Sequence, residues 1–495
     1  MDVNLTAGVF NELFPKLPLN ERRVIDITIQ LYLDTPWKID KEYLRQADAD
    51  IYMNRERLIR ESGIDRETLA STTRLGQLIE TYYDSTFKQI PSPTVLNPDN
   101  TKYPFGKDHP RFKQLQKFAE EKPELKAILD ARLAVSSNQE ATRIRRILNS
   151  LPGEEDHFIG AALNTYGAIT LRWSGTNRLN FQNQIVGSPI RRSMGTQDFE
   201  TVIAHDYVSV EPRVLAYITG CQKLIDAYRN NVDLYSEFAS IIYGFPVTKK
   251  THPTERYVGK TCIIGLGYGM GATRLQAALA EGKRGPSLNF GLDECQRMVR
   301  LYRTTYPEIP TFWADVENAL TVAATKTEDT TQCWGLPNNS GIRFTPRHIL
   351  LPNDCHIHYP QLTIGTAKTL TDGDADKIGK LIYNTRHSKT STWGGKITEN
   401  ICQGISRGIT AEHVVKISEW LDENPVGMLA LLVHDEIVSI VRQDGAREYV
   451  EAVDRIMTTN PSWASEDLIL EVEGSYGPNY GSLEEITHER PISFI

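Results

Sequence analysis

No apolar run in this 495-residue chain approaches the ~20 residues that a membrane-spanning helix needs. The opening residues, Met1-Asp2-Val3-Asn4, lack a basic stretch followed by an apolar one, which argues against a secretory leader. Paired cysteines are missing too. Cys221, Cys262, Cys295, Cys333, Cys355 and Cys402 are scattered and form no C-x-x-C, so the expectation is a reduced, cytoplasmic protein rather than a disulfide-built one. Cys355 lies near His356 and His358, but a structural zinc usually takes four ligands in recognisable pairs, and that reading is set aside. A positive balance is also lacking. The formal net charge of −8 argues weakly against a phosphate-bearing partner. Basic residues are nonetheless clustered, in Arg143 to Arg146, Lys249-Lys250, Arg256 to Lys260 and Lys283-Arg284.

What is present is enough hydrophobic residue, 40%, for more than one core. Apolar spacing of three and four predicts helices over Leu19 to Leu33, Ser71 to Tyr83 and Arg111 to Leu151, with a proline-rich loop from Pro91 to Pro110. Asn164 to Gln184 suits strands and turns. Thr201 to Ser209 reads as a buried strand ending in an acid, and Glu211 to Gly220 as a helix. Gln222 to about Thr327 is mostly helical. Hairpins follow over Trp334 to Leu362, then one long helix over Ile397 to Leu421. Leu429 to Val441 reads as a hairpin with His434-Asp435-Glu436 at its turn. Strand segments separated by a helical block predict an α+β fold.

Asp206 and Asp435 each stand where an apolar strand meets a polar turn. A single Asp there is ordinarily a turn former or helix cap. Two on neighbouring strands repel each other unless a hard cation binds them through oxygen. Two such cations ~4 Å apart can clamp the attacking and leaving oxygens of a phosphoryl transfer. Spacing alone does not make the strands neighbours. Downstream, Arg256, Lys260, Ile264 and Tyr268 recur at steps of four, which keeps them near one helix face, with a drift of about 40° per step. Gly265, Gly267 and Gly269 predict a helix end there. They do not fit G-x-G-x-x-G, so a dinucleotide fingerprint is rejected.

Asp206-Tyr207-Val208-Ser209-Val210-Glu211-Pro212-Arg213-Val214-Leu215-Ala216 resembles motif A of the family A DNA polymerases, D-Y-S-x-I-E-L-R-V-L-A. Arg256-x-x-x-Lys260 through Tyr268-Gly269 resembles their motif B, and Val433-His434-Asp435-Glu436 their motif C. The likeness extends to Thr35 to Asp40, to thumb-like Ala131 to Ser137, and to Thr165 to Gly175 with Asn180 to Asn183. It continues in Gly394 to Gln403, a form typical of phage enzymes. The chain departs from the family at Val208, Pro212, Leu171 (a Gly elsewhere), Tyr235 (often His) and Ile264 (Phe or Tyr).

The resemblance implies a right-hand polymerase with a helical thumb, an antiparallel-sheet palm and helical fingers. Its divisions are residues 1–160 for the thumb and N-terminal helices, 161–219 for the first part of the palm, 220–334 for the fingers and 335–495 for the second part of the palm. It implies DNA-templated addition of deoxynucleotides to a primer 3′-OH. Asp206 and Asp435 hold two Mg²⁺ ions with the Tyr207 backbone carbonyl. Arg256 and Lys260 bind the triphosphate, and Lys260 protonates departing pyrophosphate. Ile264 faces the sugar, Tyr268 the templating base, and Glu211 blocks a ribose 2′-OH. Arg172, Gln182, Asn183, Asn400, Gln403 and His434 contact the primer–template.

The thumb-like sequence begins within the first forty residues, which leaves no room for a proofreading exonuclease; the expected function is therefore synthesis alone. A separate exonuclease, helicase or processivity factor is then an expected partner. The expected location is the cytoplasm, that of the host cell if the gene is a phage's. Two other classes stay open: a single-subunit RNA polymerase, which the 2′-OH block at Glu211 disfavours, and an inactive primer–template binding protein, which should have lost one of the aspartates.

Overall fold

The computed structural model describes residues 2–91, 100–106, 109–155, 157–176, 179–282, 285–326, 334–336, 340–365, 379–385, 388–487, 492 and 494. Lys283-Arg284, Cys333 and half of the proline-rich loop lie outside these. No described helix is long and apolar enough to cross a membrane.

The chain divides into two compact units. One comprises residues 38–158 and 185–194 and is mainly helical. Its helices start where the sequence supplies caps: the side chains of Asp40, Asp65 and Ser71 accept from the amides of Tyr43, Thr68 and Arg74. Gly63, at φ 65°, ends the helix Lys41–Ser62 in the left-handed region. Leu69, Leu75, Ile79, Phe112, Leu125 and Ile128 form its core. In Gln139–Ser150 the apolar Ala141, Ile144 and Ile147 are buried while Arg145 and Arg146 are exposed, as an amphipathic helix requires.

The other unit comprises residues 1–37, 159–184 and 195–495. The elements used below are, in chain order, α1 (Leu19–Leu33), β1 (Glu200–Tyr207), α2 (Val210–Thr219), α3 (Leu234–Tyr243), α4 (Pro253–Leu266), α5 (Gly394–Glu423), β2 (Gly427–Val433), β3 (Glu436–Arg442), α6 (Ala446–Thr458), β4 (Val472–Gly477) and β5 (Glu484–Glu485). The five strands form one antiparallel sheet in the order β2-β3-β1-β4-β5. The sheet is thus assembled from separated segments with a helical block between them, the α+β arrangement expected. β1 is central, and Val202, Ile203, Ala204, His205 and Tyr207 are all buried. A short strand apolar on both faces suits that position. A register shift at Ala430 on β2 leaves its carbonyl to accept from the Trp37 indole at 3.0 Å.

α5 is the central helix, buried on most sides over its 30 residues. Its Arg407 donates to Glu21 of α1 at 2.5 Å, and the guanidinium lies over the rings of Trp173 and Tyr166. Tyr166 and Cys355 also donate to the Glu21 carboxylate. Burial alone would raise the Glu21 pKa, but Arg407 and these hydrogen bonds outweigh it and hold it below the ordinary value. Removing one partner of such a pair typically costs about 3–5 kcal/mol, so this pair ties α1 to α5 in the native state.

Candidate active site

The turn between β2 and β3 has two residues, His434 and Asp435, with Val433 and Glu436 in register on either side. β3 lies beside β1, and Glu436 is the register partner of Asp206. On the other side Asp206 faces Glu473 of β4. The Tyr207 amide donates to the Asp435 carbonyl at 3.4 Å. The two aspartates, remote in sequence, therefore come together at one end of the sheet.

The electrostatics follow. Asp206 is the one exposed residue in the run from Thr201 to Tyr207. Its pKa is raised to about 7, first by desolvation at the strand end, then by the charges of Asp435, Glu436 and Glu473. Asp435 is raised too, mainly by desolvation, with Arg172 and His434 opposing. Burial lowers the His434 pKa, and Arg172 adds to that. This is a concentration of like charge at one sheet end. Its donors are all carboxylate oxygens, the chemistry of Mg²⁺ rather than of zinc. Among the described residues no three of His, Cys, Asp or Glu close into a ready-made ion cage. Mg²⁺ sites of one or two carboxylates completed by substrate phosphates look like this.

Two residues beside the pair have strained backbones. His434 has φ 59° and Ser209 φ 56°, both left-handed without being glycine. Ser209 precedes α2, whose first turn carries Glu211. Arg172 donates to the Glu211 carboxylate, and both side chains are largely buried. Leu171 stands at φ 65°, which accounts for the family's glycine there.

Behind the sheet Tyr207 is buried, and its hydroxyl meets Nδ1 of His413 on α5. Nε2 of His413 lies 2.9 Å from the Thr459 carbonyl just past α6. Burial lowers the His413 pKa to about 4.

α4 carries the cationic residues. Arg256 donates twice to Asp233, Nε at 2.6 Å and a terminal nitrogen at 3.1 Å. The Tyr235 ring lies under both cations, 5.2 Å from the Arg256 guanidinium carbon and 5.6 Å from the Lys260 ammonium. The Tyr235 hydroxyl is 3.0 Å from Ser209 Oγ, so this ring links α4 to the end of motif A. A cavity of about 300 Å³ opens here, lined by Ser209, Arg213, Asp233, Tyr235, Lys249 and Arg256 among others. Ile264, half-buried, follows on α4. Tyr268 departs from the expected helical face. α4 ends at Leu266, so Tyr268 sits in the turn beyond it, with its hydroxyl buried near Cys402. Gly269 at φ 75° makes that turn, where a Cβ would lie 2.4 Å from the Trp393 ring.

The remaining residues lie on the same unit. Asn183 is exposed, whereas Gln182 is buried and donates to the Leu432 carbonyl at 2.8 Å. Asn400 is buried on α5 and donates to the Tyr359 hydroxyl at 2.8 Å. Gln403 donates to Glu399 at 3.2 Å. Sequence reasoning did not assign Glu473, Asp233 or His413 to the site. The acid-apolar alternation Glu471-Val472-Glu473 was a usable signal for the first; nothing local marks the other two.

The chain matches the model of DNA polymerase family A over residues 42–332, a span that ends before Asp435. The DNA polymerase of Bacillus phage SP02 is 27% identical over 266 residues, covering 52% of this chain and 38% of that protein. The thermostable DNA polymerase I of Thermus aquaticus is 31% identical over 134 residues, 26% of this chain and 15% of that one. The DNA polymerase of Bacillus phage SP01 is 23% identical over 363 residues, 69% and 33% respectively. The matched part thus spans well under half the length of these relatives. Among solved structures, the POL domain of Pol1 from M. smegmatis, in complex with DNA primer-template and dNTP, superposes with a TM-score of 0.66. It is 17% identical and covers 97% of this chain and 73% of that one, a likeness of fold.

Proposed function

The chain belongs to DNA polymerase family A, and from that premise we propose that it is a DNA-templated DNA polymerase, joining deoxynucleotides to a primer 3′-OH with release of pyrophosphate. The observation that carries this reading is the meeting of Asp206 with Asp435 at one end of the sheet, where Asp206 holds a proton up to about 7. Catalytic groups commonly stand out in this way.

Asp206, Asp435 and the Tyr207 carbonyl would hold two Mg²⁺ ions. Bound there, such ions stabilise charge on the attacking and leaving oxygens. Arg256 and Lys260 bind the triphosphate, and Lys260 delivers a proton to the departing pyrophosphate. For Arg256 this requires exchange of Asp233 for phosphate oxygens. Tyr235, beneath both cations, keeps them aligned meanwhile. Glu211, held by Arg172, fills the space beside the sugar. Ile264 packs on that sugar and Tyr268 lies by the templating base. Arg172, Gln182, Asn183, Asn400, Gln403 and His434 support the primer–template, with the buried Gln182 and Asn400 acting through the elements they brace. We also read the chain as synthesising without proofreading. It should leave a mismatched primer intact when given Mg²⁺ without dNTPs, and trimming that persists in Asp206→Ala would refute this.

The deciding experiment is primer extension with Asp206→Ala and Asp435→Ala. Each should lower kcat by orders of magnitude, because positioning and charge stabilisation make up most of phosphoryl-transfer catalysis. Primer–template binding should persist. Near-normal extension by either variant sinks the assignment.

A further inference from the structure

Beyond the β1–β3 pairing, Tyr207 joins the two carboxylate segments at the turn. Its amide donates to the Asp435 carbonyl, and it follows Asp206 directly. The next amide, that of Val208, is held by the Glu471 carbonyl at 2.9 Å. The turn on the other side is short, with His434 strained at φ 59°. Within the frame set by the β1–β3 register, the fine placement of Asp435 against Asp206 thus depends on where the Tyr207 peptide sits.

His413 fixes that peptide from behind. The Thr459 carbonyl can only accept, so His413 Nε2 carries the ring proton. In the neutral ring Nδ1 is then an acceptor, and the Tyr207 hydroxyl must donate to it. The resulting chain runs in one direction, from Tyr207 through His413 to Thr459. Bonded at both ring nitrogens, the imidazole cannot swing, and neither can the tyrosine it holds. His413 and Tyr207 are fully or nearly fully buried, at 0% and 3% exposure, so water offers no replacement partner.

We propose that His413 is a positioning residue for the carboxylate pair, acting through the Tyr207 hydroxyl to set the geometry in which Asp206 and Asp435 receive a divalent cation. This rests on the reading of those aspartates as metal ligands. Groups that orient a ligand from behind typically matter by about 10–100-fold in metal affinity.

The test is Mn²⁺ binding to the metal-free full chain, followed by electron paramagnetic resonance without DNA or nucleotide. Tyr207→Phe and His413→Phe should each weaken binding by about tenfold or more. The double variant should be no weaker than either single one, because both break the same link. His413→Asn, which keeps an acceptor at the Nδ1 position, should recover most of the affinity. In primer extension kcat should fall in step while KM for dNTP stays put. Unaltered Mn²⁺ affinity in His413→Phe, or losses that add in the double variant, would overturn the proposal. If His413→Phe does not fold, Tyr207→Phe against Tyr207→Phe/His413→Asn carries the same comparison. Asp206→Ala is the separate control: should it bind Mn²⁺ as tightly as the unaltered chain, the metal reading itself is wrong, whatever His413 does.

Discussion

Arg172 and Glu211 hold each other beside the His434–Asp435 turn, a guanidinium from the segment before β1 against a carboxylate in the first turn of α2. The pair fixes the Glu211 side chain where it is proposed to exclude a 2′-OH. Glu211→Ala should raise the use of rNTPs relative to dNTPs by about tenfold, roughly 1.4 kcal/mol of differential transition-state binding. Arg172→Ala, which leaves the carboxylate untethered, should shift the ratio the same way by less. Ratios of kcat/KM decide it; a ratio that does not move in Glu211→Ala removes this residue from sugar selection.

The proton on Asp206 gives a pH dependence with a definite sign. Its pKa rises from an ordinary 3.8 to about 7 on folding. The folded chain therefore holds a proton that the unfolded chain has released across that window. Stability of the metal-free protein is favoured by this group below the ordinary value, and the benefit is lost as pH climbs through 7. Asp206→Asn imitates the protonated state. Its Tm in EDTA should overtake that of the unaltered chain progressively between about pH 4 and pH 7, and Mg²⁺ should restore the unaltered chain above pH 7. Parallel Tm curves would show that Asp206 feels no such field.

Ile264 lies at the third of the steps of four that begin with Arg256, within the regular part of α4. With this position packed on the sugar, as proposed, a Tyr would offer a hydroxyl in place of a missing 3′-OH, which Ile cannot. Ile264→Tyr should improve dideoxynucleotide use relative to dNTPs by at least about tenfold, roughly 1.4 kcal/mol. An unchanged ratio with a lowered Tm would mean that Ile264 is simply core.

Leu171 occupies a backbone conformation, φ 65°, that a β-branched residue resists most. Leu171→Val should be less stable than Leu171→Gly by about 1–2 kcal/mol. Equal stability in urea unfolding would mean that the loop relaxes.

The sequence made much of this site legible, for reasons that differ by residue. Asp206 and Asp435 end apolar runs of strand length, rich in β-branched or apolar residues and followed by polar turn formers. The hairpin at His434, the helix α2 and the long α5 all follow from local periodicity. What local pattern cannot carry is direction over distance. Gln182 and Asn400 turn their amides to the Leu432 carbonyl and the Tyr359 hydroxyl, partners far away along the chain. Asp233 meets Arg256 only because α3 packs on α4. Tyr268 kept its step of four in the sequence but lost the helix beneath it, since Gly267 and Gly269 end α4 first. In the sequence His413 is one polar residue among many on a long helix; only the fold sets the Tyr207 hydroxyl against it.

The strand order has a consequence for how the protein comes into being. β1 is made early, yet its neighbours β3 and β4 belong to the last part of the chain. Pairings so distant in sequence form late and slowly. A ribosome that has just released β1 therefore carries an apolar strand with both edges bare, and such edges invite pairing with other chains. The nascent protein must keep that strand covered through the synthesis of every helix from α2 to α5. Premature stops within residues 210–420 should accordingly yield aggregating fragments rather than weak enzymes.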